Sequence, residues 1–301
     1  MSRAKLISAL IAGLVFASPV SAADDKPNQV VSLQPSTDWN IDFGEDQCRL
    51  ARVFGEGDDK HILFFEQAGP DTGFGLTLAG PRLRQFRMII PRLGLKPEDG
   101  FPQVSDKSGE VVGYGPAVIF SRLSINDYSE SEPEAGELRS LPQIDLDEAS
   151  KITRILYGHG GKALGFETGD LGPPLQALNV CAADFLRAWG LDPEKHENFK
   201  RMARWMDRDE RVRQIQKKYT HAAAARGEEA ILRMRVIIEL DGSVSECTLV
   251  QATVTKRIKS NACKEMKKAE FEPALDADGQ PMRSFFTTNI IYRIKQNNAH
   301  G

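Results

Sequence analysis

Residues 231–240 read ILRMRVIIEL and residues 243–254 read SVSECTLVQATV, with Asp241-Gly242 between them. Apolar and polar side chains alternate through both runs, and an Asp-Gly pair between two such runs is a strong hairpin signal. Further along, Ile258, Ala262, Met266 and Ala269 recur at helical spacing across residues 256–268, with six Lys/Arg on the opposite side. That is an amphipathic helix. FEPALDADGQPM (271–282) then supplies a short strand and an Asp278-Gly279 turn. RSFFTTNIIYRI (283–294) is rich in aromatic and β-branched residues, as a closing strand should be. Strand, strand, helix, strand makes a compact α+β unit with one helix on one face of a small sheet.

These residues resemble the TonB C-terminal domain family. The resemblance starts at Tyr219, Ala222 and Gly227, continues through Asp241, Gly242 and Val244, and includes the helix centre Asn261-Ala262-Cys263. It is completed by Phe271-Glu272-Pro273-Ala274, by Asp278-Gly279-Gln280-Pro281 and by a last strand carrying Tyr292 and Ile294. Thr220 stands where the family usually has proline. The resemblance implies a protein-binding module that takes an extended peptide beside its last strand, through Thr287, Thr288, Asn289, Ile290, Ile291, Tyr292 and Arg293. Asn289, Ile291 and Arg293 fall on one face of that strand and Thr288, Ile290 and Tyr292 on the other. One set is expected to pack on the helix and the other to stay available. The implied partner is an envelope protein or peptide, an outer-membrane receptor among them. The same edge can instead pair two copies into a homodimer or be covered by the acidic N-terminal half.

Outside this unit the chain opens with Arg3 and Lys5, then LISALIAGLVFA, then Pro19 and the small residues Val20-Ser21-Ala22. A charged segment, an apolar segment of a dozen residues and a small-residue site form the order of a cleavable signal peptide, here residues 1–22. The apolar run falls short of the roughly 20 residues that cross a bilayer. Periplasmic export follows as an expectation. The alternative is a TonB-type energy transducer that keeps its N-terminus as an anchor, a reading weakened by the missing Pro-rich spacer.

Residues 23–37 are polar with two prolines and read as a flexible leader. Residues 38–192 read as a β-rich domain: WNIDF, CRLARVF, HILFFEQ, FGLTLAG, FRMII and VVGYGPAVIFSRL are separated by the breakers GEGDD, AGPDTG and AGPR. The acidic stretch 129–143 is expected to be an exposed loop. A short helix capped by Asp145 and Asp147 should carry Ile152, Ile155 and Leu156, with KALGF returning as a strand. Pro173 and Pro174 open a stronger helix. Leu175, Leu178, Ala182, Phe185 and Trp189 line one of its faces, with Cys181 at the border. Residues 193–218, dense in both charges, read as a helical linker whose Phe199, Met202, Trp205 and Met206 form an apolar stripe. Residues 219–296 form the C-terminal unit and 297–301 a tail.

Charge divides unevenly. Residues 1–194 hold 18 Lys+Arg against 28 Asp+Glu, a net of −10; residues 195–301 hold 21 against 14, a net of +7. The halves should attract each other. An exported chain without basic-aromatic stacking motifs is a poor nucleic-acid binder.

Cys48, Cys181, Cys247 and Cys263 are an even set in a chain bound for an oxidising compartment, so disulfides are expected. Three pairings are possible. Position favours one pair in each half, Cys48 with Cys181 and Cys247 with Cys263. No two cysteines have metal-ligand spacing, and neither a metal nor a cofactor is expected. No small-molecule substrate is inferred.

Enzyme readings are weak. Asp71-Thr72-Gly73 is the aspartic-protease triplet and Glu167-Thr168-Gly169 a near copy, but a proton-sharing pair needs two such loops face to face. A Pro-Asp-Thr-Gly turn explains the first more simply. Gly158-His159-Gly160-Gly161 lacks a following Gly-Lys-Ser/Thr and reads as a turn. No catalytic residue is assigned and the chain is read as a non-enzyme.

Overall fold

The computed structural model describes residues 27–86, 92–96, 102, 104, 107–125, 138–217, 230–251 and 260–292. The signal segment, FRMII beyond Phe86, Tyr219, Gly227, Arg293, Ile294 and the tail lie outside the described residues.

The N-terminal half begins with β1 (Gln29–Leu33), β2 (Asn40–Phe43), β3 (Cys48–Phe54), β4 (His61–Gln67) and β5 (Gly73–Ala79). It continues through β6 (Arg92–Gly94), β7 (Lys107–Val111), β8 (Gly115–Ser124), β9 (Ile155–His159) and β10 (Lys162–Phe166). Strands β2-β3-β4-β5-β8-β7 form an antiparallel sheet, and the order β1-β10-β9-β6 forms a second sheet. Alternation in CRLARVF buries Cys48, Leu50 and Phe54 while the intervening side chains are only partly covered. FGLTLA is buried on both faces, which a central strand permits only when its residues are small or apolar.

Two helices complete this half. Helix α1 (Leu146–Ala149) is capped by Asp145, whose carboxylate accepts the Glu148 N–H at 3.1 Å. Helix α2 (Gly172–Ala188) buries Leu175, Leu178, Ala182 and Phe185, the spacing that the sequence carries. Cys181 on α2 is bonded to Cys48 on β3, with Cα atoms 6.1 Å apart.

Two expectations fail here. The polar leader contains β1, which pairs in parallel with β10 because residues 162–166 offer it a full ladder. Ile155 and Leu156 belong to β9, not to a helix; β9 and β10 are a hairpin turning at Gly160 and Gly161, both at positive φ. Hairpin pairing there overrides the apolar spacing of Ile152, Ile155 and Leu156 that read as helical.

The charged stretch after α2 is no free linker. It forms α3 (Pro193–Glu197), β11 (Phe199–Arg201), β12 (Arg204–Trp205) and α4 (Arg208–Lys217). Next come β13 (Ala230–Ile238), β14 (Val244–Gln251), α5 (Ala262–Met266), β15 (Phe271–Glu272), β16 (Ala274–Asp276), β17 (Pro281–Met282) and β18 (Ser284–Tyr292). Strand β11 pairs with β16 and β12 with β15, so the supposed linker is woven into the C-terminal unit. Phe199 and Trp205 therefore sit on strands, with Trp205 stacked on Phe271 at 5.8 Å, and Met206 is exposed. Tertiary strand partners decided what spacing alone read as helix.

In the C-terminal unit the sheet order is β14-β13-β18. The Asp-Gly turn is as expected: Glu239 N–H donates to Ser243 O at 2.9 Å and Gly242 N–H to Glu239 O at 3.0 Å. Gly242 has φ +84°, and a Cβ there would lie 1.9 Å from the Phe271 carbonyl oxygen. Cys247 on β14 is bonded to Cys263 on α5, with Cα atoms 5.4 Å apart. Ala262 and Met266 of α5 are fully buried against the sheet.

The two halves share one apolar core. Arg233 on β13 reaches Glu66 on β4 at 3.1 Å, and Asn289 on β18 donates to the Ser121 carbonyl on β8 at 3.2 Å. Arg235 lies over the Trp189 ring at 4.5 Å and 3.7 Å from Asp46. Trp189 in turn packs on Phe285 at 5.4 Å. The attraction expected from the charge division is thus realised at this seam, with arginines of the C-terminal half on acids of the N-terminal half.

His196 closes the seam's end and gives it a pH dependence. Its ring packs 5.9 Å from Phe285, its Nδ1 donates to the Asp192 carbonyl at 2.7 Å, and its buried Nε2 has no partner among the described residues. Burial holds its pKa below the usual value, against the opposing pull of the Asp192 carbonyl and charge. Buried His61, between the Asp59 carbonyl and Arg82, is held low for the same first reason. A base whose folded pKa is depressed adds stability above its unfolded value of 6.5. That stability is lost as pH falls through this value toward the folded one. Denaturant midpoints are expected to drop between pH 7.5 and pH 5, and His196→Phe to lose less over the same interval. An equal loss in the variant would assign the acid sensitivity to other groups.

Candidate functional site

β18 lies at one edge of its sheet, paired with β13 alone, Thr288 opposite Met234 and Ile290 opposite Leu232. Backbone groups along an antiparallel strand point alternately to one neighbour and the other. Because the Glu239 N–H is turned toward β14, the odd-numbered residues of β13 face β14 and the even-numbered ones face β18. Across the ladder, Thr288 and Ile290 therefore bond to β13. Thr287, Asn289 and Ile291 direct their N–H and C=O groups outward, where these find no hydrogen-bond partner among the described residues.

The two faces of β18 have different neighbours. Thr288 and Ile290 share a face with Met234 and approach α4 across a groove of about 160 Å3. Trp205, Val212, Ile215, Met234 and Ile290 give it an apolar lining, and Arg208 stands in its wall. Tyr292, at the strand's end, bonds to Ser260 at 2.8 Å, and burial pushes its hydroxyl pKa up. Thr287 and Asn289 look the other way, into a narrow polar cleft of about 40 Å3 against Gly69, Asp71, Ser121 and Arg122 of the N-terminal half. The expectation that one face stays available therefore needs correcting. The N-terminal half occupies the face opposite the helices, and what remains open among the described residues is the edge and the groove beside α4.

The sequence-derived motif residues fall into structural roles around this edge. Asp241 accepts from the Ser243 backbone and hydroxyl, which lowers its pKa and sets the hairpin. Phe271 carries the carbonyl that Gly242 accommodates, Pro273 and buried Ala274 follow it, and Gly279, at φ +80°, turns the chain into Pro281 on β17. The residues that sequence reasoning missed are Trp205, Arg208 and Val212. The signal was present: Arg208, Val212 and Ile215 recur at i, i+4 and i+7, a face hidden by the surrounding density of charge.

The protease-like triplet is engaged otherwise. Both Asp71 carboxylate oxygens accept from Arg122, at 2.7 and 3.1 Å, and Oδ1 also accepts the Gly73 N–H at 3.0 Å. Glu167 is taken by Arg154 at 2.9 Å and by the Ser32 hydroxyl. Each carboxylate thus has its own cationic partner. His159 lies in the β9–β10 hairpin, and no cluster of His, Cys, Asp and Glu among the described residues could hold a metal.

Residues 215–294 match the family model described as Gram-negative bacterial TonB protein C-terminal. Domains of this family are periplasmic and mediate protein interactions in the envelope. No curated protein matches the chain. No helix among the described residues is long and apolar enough to cross a membrane.

Proposed function

We propose that this is an exported periplasmic interaction module whose last strand takes an extended peptide from an envelope protein as a further strand. An outer-membrane receptor is the partner class that the family resemblance implies. The observation that carries the reading is the outward row of backbone groups at Thr287, Asn289 and Ile291, unpaired among the described residues. Such an edge gives an added strand its ladder hydrogen bonds without a deep pocket. Seating the N-terminal half on the opposite face leaves the edge as the route of approach and holds β18 in place through Asn289.

The alternation of the ladder selects the test. Ile291→Pro removes an outward donor and leaves the bonds to β13 intact, whereas proline at Thr288 would break the sheet itself. Binding to an immobilised library of blocked nine-residue peptides is expected to fall about tenfold or more in Ile291→Pro, roughly the loss of one good backbone contact. Lys264→Ala, exposed on α5, is expected to bind as the wild type does. Equal binding by a folded Ile291→Pro protein would refute strand addition.

A further inference from the structure

The groove beside the edge is built from two sources. Ile215, Met234 and Ile290 belong to the family-matched segment, whereas Trp205, Arg208 and Val212 precede its start at residue 215. One wall therefore lies outside the family-matched segment. Cavities of about 150 Å3 lined by apolar side chains hold a benzene ring. A groove of about 160 Å3 lined by indole and aliphatic groups thus has room for one leucine- or phenylalanine-sized side chain.

Arg208 adds a charge. Its neighbour Arg211 is tied to Asp207 at 2.8 Å and to Glu210 at 2.9 Å. Arg208 is exposed and has no hydrogen bond or ion pair among the described residues. Arg213 and Lys217, also exposed, have no carboxylate partner there either, so α4, with Asp209 and Glu210 as its acids, carries more positive than negative charge. Val212 and Arg208 are four residues apart, about 6 Å along the helix axis. Same-face side chains two apart on a strand are about 7 Å apart.

We propose that the α4 wall selects the peptide. The bound strand places one bulky apolar side chain in the groove between Val212 and Ile290, and a carboxylate two positions from it pairs with Arg208. This rests on the strand-addition reading and adds the specificity that the edge by itself lacks, since backbone pairing is indifferent to sequence.

The test uses the full chain and a positional-scanning library of blocked nine-residue peptides on a Thr/Val background. Wild type is expected to favour Leu or Phe at one position and Asp or Glu two positions away, each by about tenfold over alanine, the worth of a well-filled pocket or a good ion pair. Val212→Trp, which fills the groove, should erase the apolar preference and keep the acidic one. Arg208→Glu should turn the acidic preference into a basic one and keep the apolar one. Should both variants retain wild-type preferences while Ile291→Pro still abolishes binding, the selecting wall is refuted and strand addition stands. If no peptide binds, both fall. Sedimentation showing a wild-type dimer that Val212→Trp dissociates would make a second copy the occupant and overturn the proposal.

Discussion

Glu66→Ala is expected to be the most damaging single substitution at the seam, destabilising the chain by about 3–5 kcal/mol, the usual cost of stranding one partner of a buried ion pair. Glu66 and Arg233 are 4 and 7 % exposed, and their bond crosses from the N-terminal sheet to the C-terminal one. Glu66 also accepts from Arg49 at 2.6 Å and from Gln47 at 3.1 Å. Removing the carboxylate leaves Arg233 desolvated, with the Gln47 amide oxygen, at 3.2 Å, as its one acceptor among the described residues. Replacing both members, Glu66→Leu with Arg233→Met, is expected to recover most of the loss, because an apolar pair of similar volume has no desolvation penalty. Urea unfolding of wild type, Glu66→Leu, Arg233→Met and the double variant closes a double-mutant cycle. A double variant as unstable as Glu66→Ala would show that the cost comes from lost packing, not from the stranded cation.

The second large effect concerns the disulfides, which differ in the length of chain they close. Cys48 and Cys181 are 133 residues apart in sequence, Cys247 and Cys263 only 16. In the chain-entropy model the longer loop is worth about 5 kcal/mol and the shorter about 3 kcal/mol. The Cys48→Ser, Cys181→Ser protein should therefore lose more stability than the Cys247→Ser, Cys263→Ser protein. It should also lose the registration of α2 on β3, which the first bond staples. Guanidinium unfolding of both variants, each beside reduced wild type, measures the difference. An inverted order would mean that the shorter bond holds structure that the unfolded-chain argument does not count.

These two effects lie on different sides of what the sequence alone discloses. The favoured place of Cys181 was legible, because it falls three residues after Leu178 and four before Phe185 on a helix whose buried face is set by spacing; the pairing itself, one of three possible, was decided by the fold. Cys48 opens a strand whose alternation is equally plain. The Glu66–Arg233 bond was not legible. Arg233 lies in an alternating strand whose polar positions read as solvent-facing, and only the docking of a second sheet on that face buries them.

Local pattern sufficed where a segment's own residues set its structure. The Asp241-Gly242 hairpin, the α2 face, the closing strand and the TonB-like order of residues 219–294 belong to that class, since turn chemistry and side-chain periodicity act within a few residues. Tertiary structure decided the rest. It took Gln29–Leu33 and Phe199–Arg201 into sheets because distant strands offered them ladders. It also placed α4 beside β18, so that Arg208, Val212 and Ile290, far apart in sequence, came to share one groove. Which face of β18 is covered is likewise a property of the assembled halves, because the N-terminal half packs on one face and, among the described residues, leaves the outward backbone groups unpaired.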